Sequence, residues 1–174
     1  GKGVRMHSQM PKVLHRVAGK PMIWYVVKAV KEAGIDDIIL VVGHGREMVR
    51  EALSDEKLRF VVQEEQLGTG HALMQAQGSI DPDNTLVVLA GDTPLLEGKT
   101  LKKLLDFHRQ QQALATVLSA LLPDPFGYGR IIRQADGGLE RIVEEKDASP
   151  EEKEITEINT GMYCFQAGAV FAAL

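Results

Sequence analysis

Cysteine is almost missing from this chain: Cys164 is the single one among 174 residues. One thiol excludes an internal disulfide framework and a zinc site built from cysteines. It lies in the apolar run Met162-Tyr163-Cys164-Phe165 and reads as a packed core thiol rather than a nucleophile. A basic excess is also lacking. The net charge of −4 excludes a broad nucleic-acid-binding face, which needs positive potential. No apolar stretch is long enough to span a bilayer and no signal-peptide pattern opens the chain, so a reducing, cytoplasmic setting without a membrane partner is expected. Internal repeats, low-complexity tracts and linkers long enough to separate domains are absent too. What remains, 44% hydrophobic and 25% charged, is the composition of one soluble globular domain of ordinary size.

The pattern of apolar residues alternates between two periods. Pro21 opens a helical segment to about Ala33, with Ile23, Val26, Val27 and Val30 on one face and Gly34 placed to end it. Ile38 to Val42 is a continuous β-branched run, the mark of a strand covered on both faces. The turn Gly43-His44-Gly45 leads to a helix from about Glu47 to Leu53, then a strand from Leu58 to Val62. Residues 70–77 read as helix, 85–90 as a third buried strand, and Leu101, Leu104, Leu105 and His108 as the stripe of another helix. Alternation of this kind predicts an α/β fold, a mostly parallel mixed sheet with flanking helices. The second half changes character: 115–121, 129–133, 139–144 and 158–165 read as strands with little helix between them. The charge-rich stretch 144–157 reads as a solvated loop or short helix.

Candidate chemistry begins at residue 1. Gly1 and Gly3 permit close backbone approach to a ligand, and Arg5 and Lys12 supply two cations suited to phosphate oxygens. Two common phosphate loops are excluded. Gly98-Lys99-Thr100 lacks the glycine that a Walker loop needs at Thr93, and Met6 stands where a dinucleotide fingerprint needs its third glycine. Asp92 follows Gly91 at the carboxyl end of the third strand, the edge where ligands bind in open α/β sheets. A carboxylate there is either a Mg²⁺ ligand or a turn aspartate before Pro94, and position leaves both open. Gln63, Gln66, Gly68 and Thr69 combine amides with a flexible turn suited to the edge of a planar base, or to capping a helix. His71 and the other histidines show no ligand-like pairing and read as packing or surface residues. Gly129 opens a strand in Tyr128-Gly129-Arg130, and Asn159 sits beside an apolar strand, where it needs a hydrogen bond from backbone or ligand.

Six segments in register resemble the sugar-1-phosphate nucleotidyltransferases, most closely their bacterial bifunctional uridylyltransferase–acetyltransferase branch. They are Gly1-Lys2-Gly3-Val4-Arg5-Met6 with Pro11-Lys12, Gln66-Leu67-Gly68-Thr69-Gly70-His71-Ala72, Gly91-Asp92-Thr93-Pro94-Leu95, Tyr128-Gly129-Arg130, Val143-Glu144-Glu145-Lys146-Asp147 and Glu157-Ile158-Asn159-Thr160-Gly161. The resemblance implies a Rossmann-like, glycosyltransferase-A-type nucleotidyltransferase fold. It implies uridylyl transfer from UTP to N-acetylglucosamine 1-phosphate with Mg²⁺ as cofactor. Arg5 and Lys12 would polarise the phosphates, with Gly1 and Gly3 beside them. Gln63, Gln66, Gly68 and Thr69 would read the uracil, and Asp92 would hold Mg²⁺. Gly129, Glu144, Asn159 and Thr160 would hold the amino sugar.

Some of the family pattern is missing from these residues. Val4 stands where the family has threonine, and neither a strand before Gly1 nor the downstream asparagine that completes the family's metal site is here. Residues 1–174 are therefore expected to be a partial nucleotidyltransferase domain, truncated at both ends and a poor catalyst by itself. The family's C-terminal β-helix, which carries acetyl transfer and trimerisation, has no counterpart here, so a homotrimer is expected only of a longer parent. Rival readings are a thymidylyl- or glucose-specific relative and a non-catalytic module that binds nucleotide sugar.

Overall fold

The computed structural model describes Ser8 and residues 10–174; Gly1, Gly3 and Arg5 lie outside the described residues. After a short ribbon of β1 (Arg16–Val17) and β2 (Lys20–Pro21), helix α1 (Met22–Glu32) buries Ile23, Val26, Val27 and Val30, the face expected from their spacing. Its end is fixed by a Schellman pair: the Ile35 amide donates to the Val30 carbonyl and the Gly34 amide to Lys31. Ile35 then folds back onto the cluster of Ala29, Val30 and Leu101.

Strands β3 (Ile39–Val42) and β4 (Arg59–Val62) pair in parallel around α2 (Arg46–Ala52). Helix α3 (Thr69–Ala76), strand β5 (Thr85–Val88) and helix α4 (Gly98–Gln110) follow. Four further strands complete the chain: β6 (Ala115–Leu121), β7 (Arg130–Arg133), β8 (Leu139–Val143) and β9 (Glu157–Gln166), with short helices α5 (Pro150–Lys153) and α6 (Ala167–Ala173). Strand β9 is the hub. It pairs with β5, β6 and β7, and β8 adds to β7.

The α/β class and its flanking helices are as expected, but the balance of the sheet differs. Among the described residues one pair, β3 with β4, is parallel and the others are antiparallel. Between β6 and β9 no long helix carries the chain back across the sheet, so successive strands can only return antiparallel. Strands β3 and β5 each have one hydrogen-bonded neighbour among the described residues, and an apolar cavity of about 650 Å³ lies between them under α1.

The core is divided between α1 and α2 on β3–β4, and α1 with α4 beside β5. Gly98 marks the contact of the two long helices. A Cβ at this position would stand 2.6 Å from Glu32 Cβ and 2.9 Å from the Ala29 carbonyl oxygen. The Walker-like Gly98-Lys99-Thr100 is therefore a helix-packing site, with Lys99 exposed and paired to Glu97 at 2.8 Å. Alanine normally favours a helix over glycine by up to about 1 kcal/mol. Here the clash outweighs that gain, and Gly98→Ala is expected to cost about 1–2 kcal/mol, read as a lower urea midpoint. Cys164 is fully buried among Leu104, Leu105 and Val87, and burial pushes its thiol up to about 11. It is the packed core thiol its sequence context indicates.

Candidate functional site

Two groups of expected site residues form, and the sheet brings them to one edge. The first joins residues eighty apart in sequence. Lys12 follows Pro11 in a short 3-10 turn, and its Nζ donates to Asp92 Oδ2 at 2.6 Å. Asp92 sits in the turn that leaves β5, held by Thr93 Oγ1 donating to the Ala90 carbonyl at 3.0 Å. Gly91 lets that turn press on Ile23 and Val13; a Cβ there would meet Ile23 Cδ1 at 2.8 Å. Lys12, Gly43, Thr69 and Gly91 are among the residues that line the apolar cavity between β3 and β5.

The glutamine loop has a second hollow of about 480 Å³, between Gly43–Met48 and Gln63, Glu64 and Gln66. Gln63 is almost wholly buried, and its orientation is set from within. Its Nε2 donates to the Gly68 carbonyl at 3.2 Å and lies 3.1 Å from His71 Nδ1. That leaves Oε1 as an acceptor without a partner among the described residues. His71 in turn has Nε2 3.1 Å from the Gln75 amide nitrogen. Its role is thus to fix Gln63, a contact that spacing alone does not reveal, although the two residues lie one on each side of the same turn. Gly43 reads in sequence only as a turn residue. A Cβ on it would meet Gln66 Nε2 at 2.9 Å and the Gln63 carbonyl at 3.2 Å, so a larger residue there would displace the Gln66 side chain and press on the loop backbone.

The second group gathers at the start of β9. Two extra residues in β9, Thr160 and Gly161, bulge between its pairings Ser119–Asn159 and Leu118–Met162. Gly161 has φ +74°, a left-handed turn that suits glycine. Asn159 builds the bulge: its Oδ1 accepts the Gly161 amide at 2.9 Å while Nδ2 donates to Tyr163 Oη at 2.7 Å. Thr160 Oγ1 donates to the Leu118 carbonyl. The hydrogen bond that Asn159 is expected to need is therefore found within the protein. Its backbone amide also donates to the Gly129 carbonyl at 2.8 Å, which seats Gly129 beside it. Glu144 faces Gly129, its Oε1 3.3 Å from where a Cβ would stand.

Strand β5 runs toward Asp92 and β9 runs antiparallel away from Asn159, with Val88 opposite Tyr163. Both groups consequently lie at one edge of the β5–β9 pair. Glu145, next to Glu144, stands out in sequence only as a member of a motif. It pairs with the buried Arg130 at 2.8 Å, and that contact, with the Gly127 amide, holds its carboxyl below the ordinary value. Glu157 is held low as well, by the Arg133 guanidinium and the Ser119 hydroxyl.

These shifts set a direction for acid sensitivity. Carboxylates with depressed folded-state values contribute stability that is present above their unfolded value near 4.3 and lost as pH falls through the folded one. His108, lowered by burial beside Arg109, acts in the same sense from a higher pH, because the unfolded chain takes up its proton first, below about 6.5. Thermal melts are expected to decline gently below about pH 6.5 and more steeply below about pH 4.3. Glu157→Gln should flatten the steep limb.

Among the described residues no three or more His, Cys, Asp or Glu gather as a closed metal site. Asp92 offers one carboxylate at an accessible edge, which fits Mg²⁺, an ion commonly held by one or two carboxylates plus phosphates and water. No helix among the described residues is long and apolar enough to cross a membrane.

Comparison with known proteins adds the lineage. The family model of the MobA-like NTP transferase domain matches residues 1–145. The bifunctional protein GlmU of Syntrophomonas wolfei is 62% identical over 174 residues, covering all of this chain and 39% of that protein. The GlmU of Halalkalibacterium halodurans is 51% identical over 175 residues, again covering all of this chain and 38% of its own length. The chain thus spans less than two-fifths of these curated relatives. Among solved structures, a candidate glucose-1-phosphate thymidylyltransferase from Bacillus anthracis superposes with a TM-score of 0.81 at 24% identity, covering 99% of this chain and 70% of that one. HddC from Yersinia pseudotuberculosis gives 0.76 at 20% identity, covering 95% and 71%. At such identities the structural likeness speaks for the fold.

Proposed function

This chain belongs to the MobA-like NTP transferase domain family, and from that premise we propose that it forms the nucleotidyl-transfer portion of a protein that moves uridylyl from UTP to N-acetylglucosamine 1-phosphate, releasing pyrophosphate. The observation that carries this reading is the Lys12–Asp92 contact at 2.6 Å, which places a cation and a carboxylate together at the sheet edge shared with Gly129 and Asn159. The 62% identity to a bifunctional GlmU supports the choice of substrates.

In this reading the sugar phosphate is already an anionic nucleophile and needs no general base or covalent intermediate. One of its phosphate oxygens bonds to the α-phosphorus of UTP as the bond to the leaving pyrophosphate breaks. The obstacle is the approach of two anions. Lys12, with Arg5 and the backbone at Gly1 and Gly3, would offset that repulsion and the charge developing on pyrophosphate. Magnesium held at Asp92 would add charge neutralisation on the same phosphates. Gln63 Oε1, an acceptor without a partner among the described residues, suits the N–H donor on the edge of uracil, and Gln66, Gly68 and Thr69 would complete the base contacts. Gly129, Glu144, Asn159 and Thr160 would line the sugar, the last two chiefly by the shape of the bulge they build.

For the full-length protein the same reading includes a cytoplasmic setting, peptidoglycan and lipopolysaccharide precursor synthesis, acetyl transfer to glucosamine 1-phosphate, and a homotrimer formed outside these residues. The test offers the full-length protein UTP or dTTP with N-acetylglucosamine 1-phosphate or glucose 1-phosphate and Mg²⁺, and measures pyrophosphate. Release with UTP and the amino sugar is the expected result. Preference for dTTP would move the assignment to thymidylyl transfer, and no release with any pair would favour a binding module.

A further inference from the structure

Two adjacent glutamates, Glu144 and Glu145, meet opposite surroundings. Glu145 turns toward Arg130, whose side chain is 2% exposed. A guanidinium taken out of water must be paired and hydrogen-bonded. Arg130 Nη2 donates to Glu145 Oε2 at 2.8 Å and to the Lys153 carbonyl at 3.3 Å, while Nη1 donates to the Tyr128 carbonyl. The same Glu145 oxygen accepts the Gly127 amide at 3.1 Å. One carboxylate oxygen therefore clamps both the 126–129 turn and the strand that follows it. Lys153 is itself held in place because α5 is closed by a capping box between Ser149 and Glu152. Glu144, by contrast, has no ion pair among the described residues, and its Oε1 comes to 3.3 Å from the position of a Gly129 Cβ.

We propose that Arg130 and Glu145 are positioning residues for the sugar subsite: their pair fixes the Gly127–Gly129 turn against Glu144, so that the Gly129 backbone and the Glu144 carboxylate present one preformed surface to the hydroxyl and amide groups of the sugar. This rests on the sugar-phosphate reading above. A fork is required for the task. Arg130 reaches two carbonyls and a carboxylate at once, which a single lysine ammonium on a flexible stem cannot reproduce. A glutamine at 145 can turn its amide oxygen to the Arg130 and Gly127 donors, but it carries no charge to balance the buried guanidinium and sets its N–H₂ toward Lys153 Nζ, which lies 3.9 Å from Glu145 Oε1.

The test compares Glu145→Gln and Arg130→Lys with wild type in the full-length protein, measuring KM for each substrate, kcat, and the thermal midpoint so that assays run well below unfolding. The expected result is a rise of about tenfold in KM for the sugar phosphate in both variants, the scale on which a misplaced contact is felt. KM for the nucleotide should stay within about twofold and turnover should recover at saturating sugar phosphate. An unchanged sugar KM in both variants would overturn the inference, as would an equal rise in both KM values, which is what a general loosening of the fold produces. Wild type without sugar-phosphate-dependent pyrophosphate release would remove the functional reading, and this inference with it. Wild-type release with no selective KM effect would remove the inference alone.

Discussion

Lys12→Ala in the full-length protein is expected to lower turnover by about 10²–10³ while the protein stays folded. The loss of turnover and the retained fold rest on different magnitudes. As a structural element, the Lys12–Asp92 pair is partly exposed, with side chains 46% and 29% accessible. Pairs of that kind contribute about 0–1 kcal/mol, too little to threaten a domain of this size. In the proposed mechanism, the same ammonium would face the place where two phosphates must meet. Loss of one preorganised donor from such a site costs about 3–4 kcal/mol of transition-state stabilisation. Pyrophosphate release under saturating substrates, with a melting curve alongside, separates the two. Turnover within about threefold of wild type would remove Lys12 from the mechanism. Lys12→Arg should recover little of the loss, because a wide planar fork does not replace a point charge seated at 2.6 Å from one carboxylate oxygen.

The largest effect on stability is expected at Leu101. Its side chain is fully buried and lies where α4 meets Ala29 and Val30 of α1. Leu101→Ala removes the transfer energy of three buried carbons and leaves a cavity that two packed helices cannot close. About 3 kcal/mol is expected, near the middle of the range for such substitutions. With the entropy of unfolding of a chain this long, that corresponds to roughly 6–12 °C in thermal midpoint. Equilibrium urea unfolding checks the number, and a cost below about 1 kcal/mol would mean that the helices close over the gap.

Helix α1 is legible in the sequence because four apolar residues at helical spacing and a terminal glycine all speak of local geometry. Strand β6 is legible to its end residues for the same reason. The candidate site is only partly legible, through motifs rather than periods. Lys12 and Asp92 can each be picked out as a charge beside a turn, yet nothing in the intervening eighty residues says that they touch. Arg130 and Glu145 are visible only as letters in two motifs, because a buried ion pair looks in sequence like any two charges. The bulge at Thr160 and Gly161 is hidden more deeply. A strand period of two carries no mark of two inserted residues, and Asn159 reads as a polar residue awaiting a partner. Its partners prove to be Gly161 and Tyr163, a few residues along the same strand. The antiparallel character of the second half follows from missing crossover helices, a feature present in the sequence as an absence.

The position of β9 in the chain has a consequence for biosynthesis. Every strand of the five-stranded sheet except β8 needs β9 as a direct neighbour, and β9 is the last strand to leave the ribosome among those described. Strand β5 is finished roughly eighty residues earlier, so at cellular elongation rates it waits about 4–16 s for its partner. During that interval β3, β4 and α1 can already pack, while β5, β6 and β7 emerge with apolar faces and no common neighbour. A nascent chain paused between β7 and β9 is therefore expected to lack the strand that joins β5, β6 and β7, and slowing translation there should lengthen that interval.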